Sequence, residues 1–295
     1  MELEIVNVGQ GNWNVFQIFG VNIFYDLGAC KNESETNILN NIIKNNKKLF
    51  DREFGVVISH WDIDHYRLII SLEKLGYLKN MKFFVCPENL PTLTSEKAYK
   101  IIEAYLSLDD IYKIPNIEKG AIIGKRGETP YKHFEVKAFN KMFKKPKVFY
   151  KLDIITNSDT TRTTNLLTVE IRLYHSVERK NRNKNSLVMV INYSLDDYIV
   201  FTGDSYYRDL NEYIFKDLSS STSNVHFVVP HHGGAAGKFM LDNLKFQKGK
   251  AFISVGKDNS YGHPNIDYVR DLKVQFGSEN VLMTTDKEDN YKEKF

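Results

Sequence analysis

The chain has 295 residues, 42% of them hydrophobic and 26% charged, with a formal net charge of +3 at pH 7. That apolar content excludes a largely disordered chain, whose burial would not offset the entropy of ordering. A charge this small does not by itself imply a nucleic-acid partner, so any basic contribution has to come from local segments.

The opening run Met1-Glu-Leu-Glu-Ile-Val-Asn-Val8 is acidic where a secretory leader would be basic. No window approaches the roughly 20 consecutive apolar residues of a membrane span. A cytoplasmic protein with no membrane partner is expected. Cys30 and Cys86 are too few for a disulfide framework and form no CxxC pair, so both are expected as free, buried thiols.

Short apolar runs separated by turn residues predict strands at 4–8, 14–18, 21–25 and 55–59. Between the last two, 36–50 carries Ile38, Leu39, Ile42, Ile43 and Leu49 at helical spacing. Residues 66–78 read as helix, 83–86 as strand, and 93–114 as a longer helix with Ile101, Ile102, Tyr105 and Leu108 on one side. The stretch 115–165 has few periodic runs, a basic segment Lys141-Met-Phe-Lys-Lys-Pro-Lys147 and a polar segment from Asn157 to Asn165, and reads as an irregular insertion. Strand patterns return at 167–173, 186–193, 198–202, 225–229, 251–255 and 281–284, with helices at 209–218 and 266–276. Two strand-rich halves flanked by helices predict a layered α/β architecture in a single domain spanning 1–295.

His60, Asp62, Asp64 and His65 follow directly on the strand 55–59. In an extended segment alternate residues share a side, so His60, Asp62 and Asp64 are expected to converge while His65 turns to the other side of the loop. Imidazole and carboxylate bind divalent metals at roughly 2.0–2.2 Å, so the run predicts a metal cluster. Three other apolar strands run into short polar loops: Val200-Phe-Thr-Gly-Asp204, Val228-Val-Pro-His-His-Gly-Gly234, and the segment holding Tyr261-Gly-His-Pro264. A lone histidine or turn aspartate is commonplace; Asp204, His231, His232 and His263 together at strand ends predict one composite site.

On these motifs the chain resembles the metallo-β-lactamase superfamily and, within it, the hydrolase-like domain of ComEC-type competence proteins. Asn7-Val-Gly-Gln-Gly11 and Tyr25-Asp-Leu-Gly28 match the opening motifs, and Ser59 to His65 the metal motif usually written HxHxDH. Asn185-Ser-Leu-Val188, Thr202-Gly-Asp204, Pro230-His-His-Gly-Gly234 and Tyr261-Gly-His-Pro264 follow in the family's order. The resemblance implies a four-layer αββα metallo-β-lactamase sandwich holding one or two divalent ions, Mn²⁺, Mg²⁺ or Zn²⁺. It implies His60 and Asp62 on one ion, Asp64 and His65 on the second, Asp204 bridging, and His263 completing the second site. Asp64 thereby belongs to the catalytic set as well as to the ligands. Asp26 would stand behind the ligands and support them, and His231 or His232 would donate a proton or hydrogen bond to the substrate phosphate.

Two departures stand out. Asp62 occupies the place of a histidine, a change to a hard oxygen ligand that favours Mn²⁺ or Mg²⁺ over Zn²⁺. Asn185 and Ser186 stand where many members place another histidine ligand. The expected activity is metal-dependent hydrolysis of a phosphodiester by metal-bound hydroxide, with DNA or RNA as substrate. Arg179-Lys-Asn-Arg-Asn-Lys184, ending in Lys184 beside Asn185, and the 141–147 segment with nearby Phe143, Phe149 and Tyr150 are the candidate polyanion contacts. The alternatives are a small-molecule phosphodiesterase of the cyclic-nucleotide type, a non-catalytic binding protein that retains the fold, and a lactam or thioester hydrolase.

Overall fold

The computed structural model describes residues 1–18, 20–114, 131–134, 170–176, 186–194, 196–237, 239, 246–257, 259, 261–286 and 290–295. The first half supplies β1 (Glu2–Ile5), β2 (Asn14–Ile18), β3 (Val21–Tyr25), β4 (Phe54–Val57), β5 (Met81–Pro87) and β6 (Ile111–Ile114). The second half supplies β7 (Tyr131–Phe134), β8 (Glu170–Ser176), β9 (Leu187–Ser194), β10 (Asp197–Phe201), β11 (Asn224–Val228), β12 (Ala251–Ile253) and β13 (Val281–Met283). A last strand, β14 (Tyr291–Lys294), crosses back to pair antiparallel with β1. Among the described residues these make two seven-stranded mixed sheets, ordered β14-β1-β2-β3-β4-β5-β6 and β13-β12-β11-β10-β9-β8-β7.

Period-two alternation along the strands determines the layering. Leu3, Ile5, Phe16, Ile18, Ile23 and Val57 of the first sheet meet Leu187, Met189, Ile191, Phe201 and Val228 of the second in one buried core. The opposite face of the first sheet, with Val15, Phe24, Val56 and Phe84, buries Ile38, Ile42, Leu68, Leu72 and Ile102 from helical segments. The outer face of the second sheet does the same with Leu210, Phe215, Val269 and Leu272. The architecture is therefore an αββα sandwich. No helix among the described residues is long and apolar enough to cross a membrane.

The helix expected at 93–114 ends at Tyr105, and Ile111–Ile114 is instead strand β6, parallel to β5. The helix starts at a capping box formed by Thr92 and Ser95. Its apolar stripe does not continue, because Leu108 is 75% exposed. The helix expected at 36–50 is a composite: a turn of α-helix at Glu35–Asn37, a π-helical segment at Ile38–Ile43, and a 3₁₀ turn at Lys47–Phe50. Within the stretch expected to be an irregular insertion, Tyr131–Phe134 pairs antiparallel with β8; the rest of 115–165 lies outside the described residues. Cys86 is buried, which pushes its thiol pKa up, whereas Cys30 is only half-buried.

Candidate metal centre

The site is assembled at one end of the sandwich, where strands of both sheets run into loops. After β3 the chain turns at Asp26, whose φ of 62° is left-handed, a conformation that aspartate tolerates better than most residues. The Asp26 N–H donates to the Val57 carbonyl at 2.8 Å. Its fully buried carboxylate accepts from the Ser59 backbone N–H (2.7 Å), Ser59 Oγ (2.9 Å) and Asn12 Nδ2 (3.0 Å), and lies 2.7 Å from His65 Nδ1. Asn12 N–H donates to the Asp64 carbonyl at 3.0 Å and Leu27 N–H to that of His65 at 2.8 Å. Gly28 has to be glycine here, since a Cβ would sit 1.6 Å from the Asp64 carbonyl oxygen. The two N-terminal glycine motifs thus form the bed beneath the His60 to His65 run.

That run is not extended throughout. Asp62 takes the N-cap position of a helical turn at Ile63–Tyr66, so Asp64 and His65 project from a turn of helix and the alternation expected from a strand does not hold. His65 nevertheless comes to the same cluster as His60, with ring centroids 4.0 Å apart.

From the second sheet, β10 delivers Asp204 through Gly203, whose φ is +53° and whose missing Cβ would meet Ser59 and Ser186 at 2.8 and 2.9 Å. Ser186, just before β9, accepts the Asp204 N–H at 3.0 Å and lies 3.2 Å from His60 Nδ1. After β11, His231 (φ 52°), His232 (φ 54°) and Gly233 (φ 75°) make a left-handed turn. For non-glycine residues that costs roughly 1–2 kcal/mol each, strain of a kind that concentrates at functional sites.

Two triads result. The ligand-type atoms of His60, His65 and Asp204 lie within 4.8 Å of one another, as do those of Asp64, His65 and His232. The Nε2 atoms of His60, His65 and His232 are buried and make no hydrogen bond, although carboxylate oxygens stand 3.3–3.7 Å away. Their Nδ1 atoms are engaged elsewhere: His65 with Asp26, His232 with the Ser254 carbonyl at 2.8 Å, and His60 with Ser59 and Ser186. Such outer contacts fix ring direction and leave Nε2 as the atom available to a metal. Three buried nitrogens that make no hydrogen bond and face carboxylates are a donor set that fits a divalent metal.

Electrostatics follow the geometry. Burial opposes charge on His65, but the carboxylates of Asp204 and Asp26 outweigh it and hold the imidazole well above its ordinary pKa. Burial likewise opposes ionisation of Asp204, and His65, His231 and His60 reverse the balance and hold it well below the carboxylate range. Asp64 is lowered by His232 and His65 against the same burial cost. Burial works against charge on His231 as well, yet Asp204 Oδ2, 2.6 Å from its Nδ1, keeps its pKa raised. His263 is shifted down, by burial first and then by the neighbouring His231 and His232.

No protein-family model matches the chain, and no curated protein matches it. Solved structures similar to it include the metallo-β-lactamase fold protein YhfI from Bacillus subtilis, 11% identical over 100% of both chains with a TM-score of 0.48. The short form of human tRNase Z is 10% identical over 100% of this chain and 99% of its own, with a TM-score of 0.43. An isothiocyanate hydrolase from Delia radicum gut bacteria gives 10%, 100%, 99% and 0.41 respectively. The sandwich itself stands on the three cores described above.

The expected site residues fall into distance groups as follows. His232, expected as a proton donor, shares a triad with Asp64 and His65. Asp204, expected to bridge both ions, falls in the triad of His60 and His65. Asp62 lies 3.6 Å from His60 Nε2 with its side chain 34% exposed, and belongs to neither triad among the described residues. His263 belongs to neither; its ring sits 5.1 Å from that of His231 and 6.5 Å from that of His232, in space that Gly234 leaves open. Lys184, Asn185 and the two basic segments lie outside the described residues. Sequence reasoning placed Ser59 at the start of the metal motif without giving it a role, and missed Asn12 and Ser254 as supporting residues. A separate cavity of about 1110 Å³, lined by residues including Glu4, Asn22, Asn41, Asn46 and Lys292, shares no residue with the cluster.

Proposed function

We propose that the chain is a metal-dependent hydrolase of the metallo-β-lactamase type that cleaves phosphodiesters, with DNA or RNA as its substrate class. The observation that carries the metal-dependent reading is the convergence of the buried, hydrogen-bond-free Nε2 atoms of His60, His65 and His232 on the carboxylates of Asp204 and Asp64. These five residues would hold one or two divalent ions. The nucleic-acid substrate rests on the ComEC-like motif set. Both halves of the chain contribute ligands, which supports reading 1–295 as one domain.

A divalent ion held there supplies Lewis acidity and eases the ionisation of water. Asp26 holds His65 and Ser59 in place, and Ser186 holds the Asp204 backbone, so these contacts orient the residues that would hold the ion. His231, its Nδ1 held 2.6 Å from Asp204 Oδ2, has its imidazolium form favoured by that carboxylate and would be the group placed to donate a proton from Nε2 to the departing oxygen. With Asp62 outside both triads, the set is three imidazoles and two carboxylates. That suits Zn²⁺ or Mn²⁺ better than Mg²⁺, which favours oxygen ligands and keeps its waters.

The test has two arms. Calorimetric titration of the metal-free protein with Mn²⁺, Zn²⁺ and Mg²⁺ near neutral pH is expected to show binding that His65→Ala and Asp64→Ala weaken. Single-stranded DNA, duplex DNA, RNA and cyclic dinucleotides are then assayed with each metal. Cleavage that survives both substitutions removes this site from the chemistry. Absence of metal binding leaves a non-catalytic protein, and turnover of cyclic dinucleotides alone a small-molecule enzyme.

A further inference from the structure

Tyr261 is 53% exposed, an aromatic ring left open to solvent beside a buried polar cluster. Its ring stacks on that of His263, with centroids 6.0 Å apart and planes 19° from parallel. His263 in turn lies at 16° to His232, whose centroid is 6.5 Å away. The three rings form a near-parallel series that runs from His232, 4% exposed and in the Asp64 triad, out to Tyr261 at the surface.

The series is held in place. Asn259 Nδ2 donates to the His263 carbonyl at 2.6 Å, while the His263 N–H donates to Asn259 Oδ1 at 2.9 Å. That two-point clamp holds the main chain of His263, the residue whose ring faces Tyr261. Among the exposed large hydrophobic side chains described, the others, such as Leu93, Leu108 and Val274, lie on or beside helices with no contact to the cluster given by the structure.

A rigid aromatic face beside an anion-hydrolysing centre suits a planar heteroaromatic group carried by the anion. Base stacking on aromatic side chains tolerates any base, because each has a π-face. We infer that the exposed face of Tyr261 is a stacking subsite for a nucleobase of the substrate, adjacent to the metal centre. The inference deepens the phosphodiesterase reading above and rests on it. A merely structural tyrosine would instead act through His263 and affect every ligand alike.

The probes are 5′-AMP and ribose 5-phosphate, which share a phosphate and sugar and differ in the base. Binding to the Mn²⁺-supplemented protein is measured by calorimetry for the native chain, Tyr261→Ala and Tyr261→Phe. The native chain is expected to bind 5′-AMP about 10-fold more tightly than ribose 5-phosphate, in line with one stacked base. Tyr261→Ala is expected to lose that advantage, Tyr261→Phe to keep it, and Mn²⁺ affinity to be the same in all three. No advantage for 5′-AMP in the native chain, including no binding at all, overturns the proposal. So does an advantage that Tyr261→Ala retains, or an equal weakening of both ligands. A parallel assay with thymidine 5′-(4-nitrophenyl phosphate) separates the two readings. A Tyr261-dependent advantage without hydrolysis removes the hydrolase and leaves the subsite, while hydrolysis without the advantage removes the subsite alone.

Discussion

The inner and outer parts of the candidate metal centre are built differently. His60, His65 and His232 are at most 4% exposed, and each has its Nδ1 committed to a partner behind it. Asp62 and His231 have side chains 34% and 28% exposed, and the Tyr261 loop stands further out. Inner residues are tied to the fold on one side and to the cluster on the other, so they cannot change without disturbing both. The rim is more open to solvent than the inner set, which makes it the place where substrate preference can vary with least disturbance of the fold.

The contrast breaks most visibly at His65, which belongs to both triads. His65→Ala is expected to lower metal affinity by more than about 100-fold, beyond what loss of a supporting contact does, as read by titration. Asp26→Asn keeps the shape but removes the charge behind His65, and a loss of about 10–100-fold is expected. If its effect matches that of a rim substitution, inner and outer parts are not distinct.

His226 on β11 sharpens the comparison, because it is a largely buried histidine away from the triads. Its Nδ1 has no hydrogen-bond partner, and burial depresses its pKa to about 4 from 6.5. Between those values the unfolded chain binds the proton and the folded chain does not. Its contribution to stability is therefore complete above about pH 6.5 and is lost as pH falls towards 4. Urea unfolding of the native chain and His226→Gln at pH 7 and 4.5 is expected to differ by about 1–2 kcal/mol in this slope. The smallest effect is expected at the rim: Asp62→Ala should change metal affinity by less than about 5-fold, since a half-exposed carboxylate in neither triad gives a weak, screened contact. A loss as large as that of Asp26→Asn would restore Asp62 to the ligand set.

What could be read in advance follows from how local each signal was. Apolar runs ending in His, Asp and Gly marked the strand ends that carry the cluster, and the helix at Ile266–Phe276 matched its expected bounds. Ile111–Ile114 was misread because four apolar-containing residues after a helix carry no period of their own, and only pairing with β5 makes them strand. The partition of ligands was hidden for another reason. Whether His232 or His263 reaches Asp64 depends on a left-handed turn at His231 and His232, and residue spacing does not encode that direction. Ser254 and Asn12 act through a backbone carbonyl and a side-chain amide, and neither leaves a mark in composition.

The pairing of β14 with β1 has a consequence beyond the sandwich. Without Tyr291–Lys294, the backbone donors and acceptors of Glu2–Ile5 would line the border of the first sheet, half apolar and open to a strand from another molecule. The strand that stands there instead carries Lys292, Glu293 and Lys294, with Lys292 bonded to Glu4 at 3.2 Å and Glu293 to Lys250 at 2.6 Å. A border so charged is a poor template for further pairing. Tyr291–Lys294 thereby gives this border of the sheet a charged strand ill-suited to pairing between copies, a matter of association rather than catalysis.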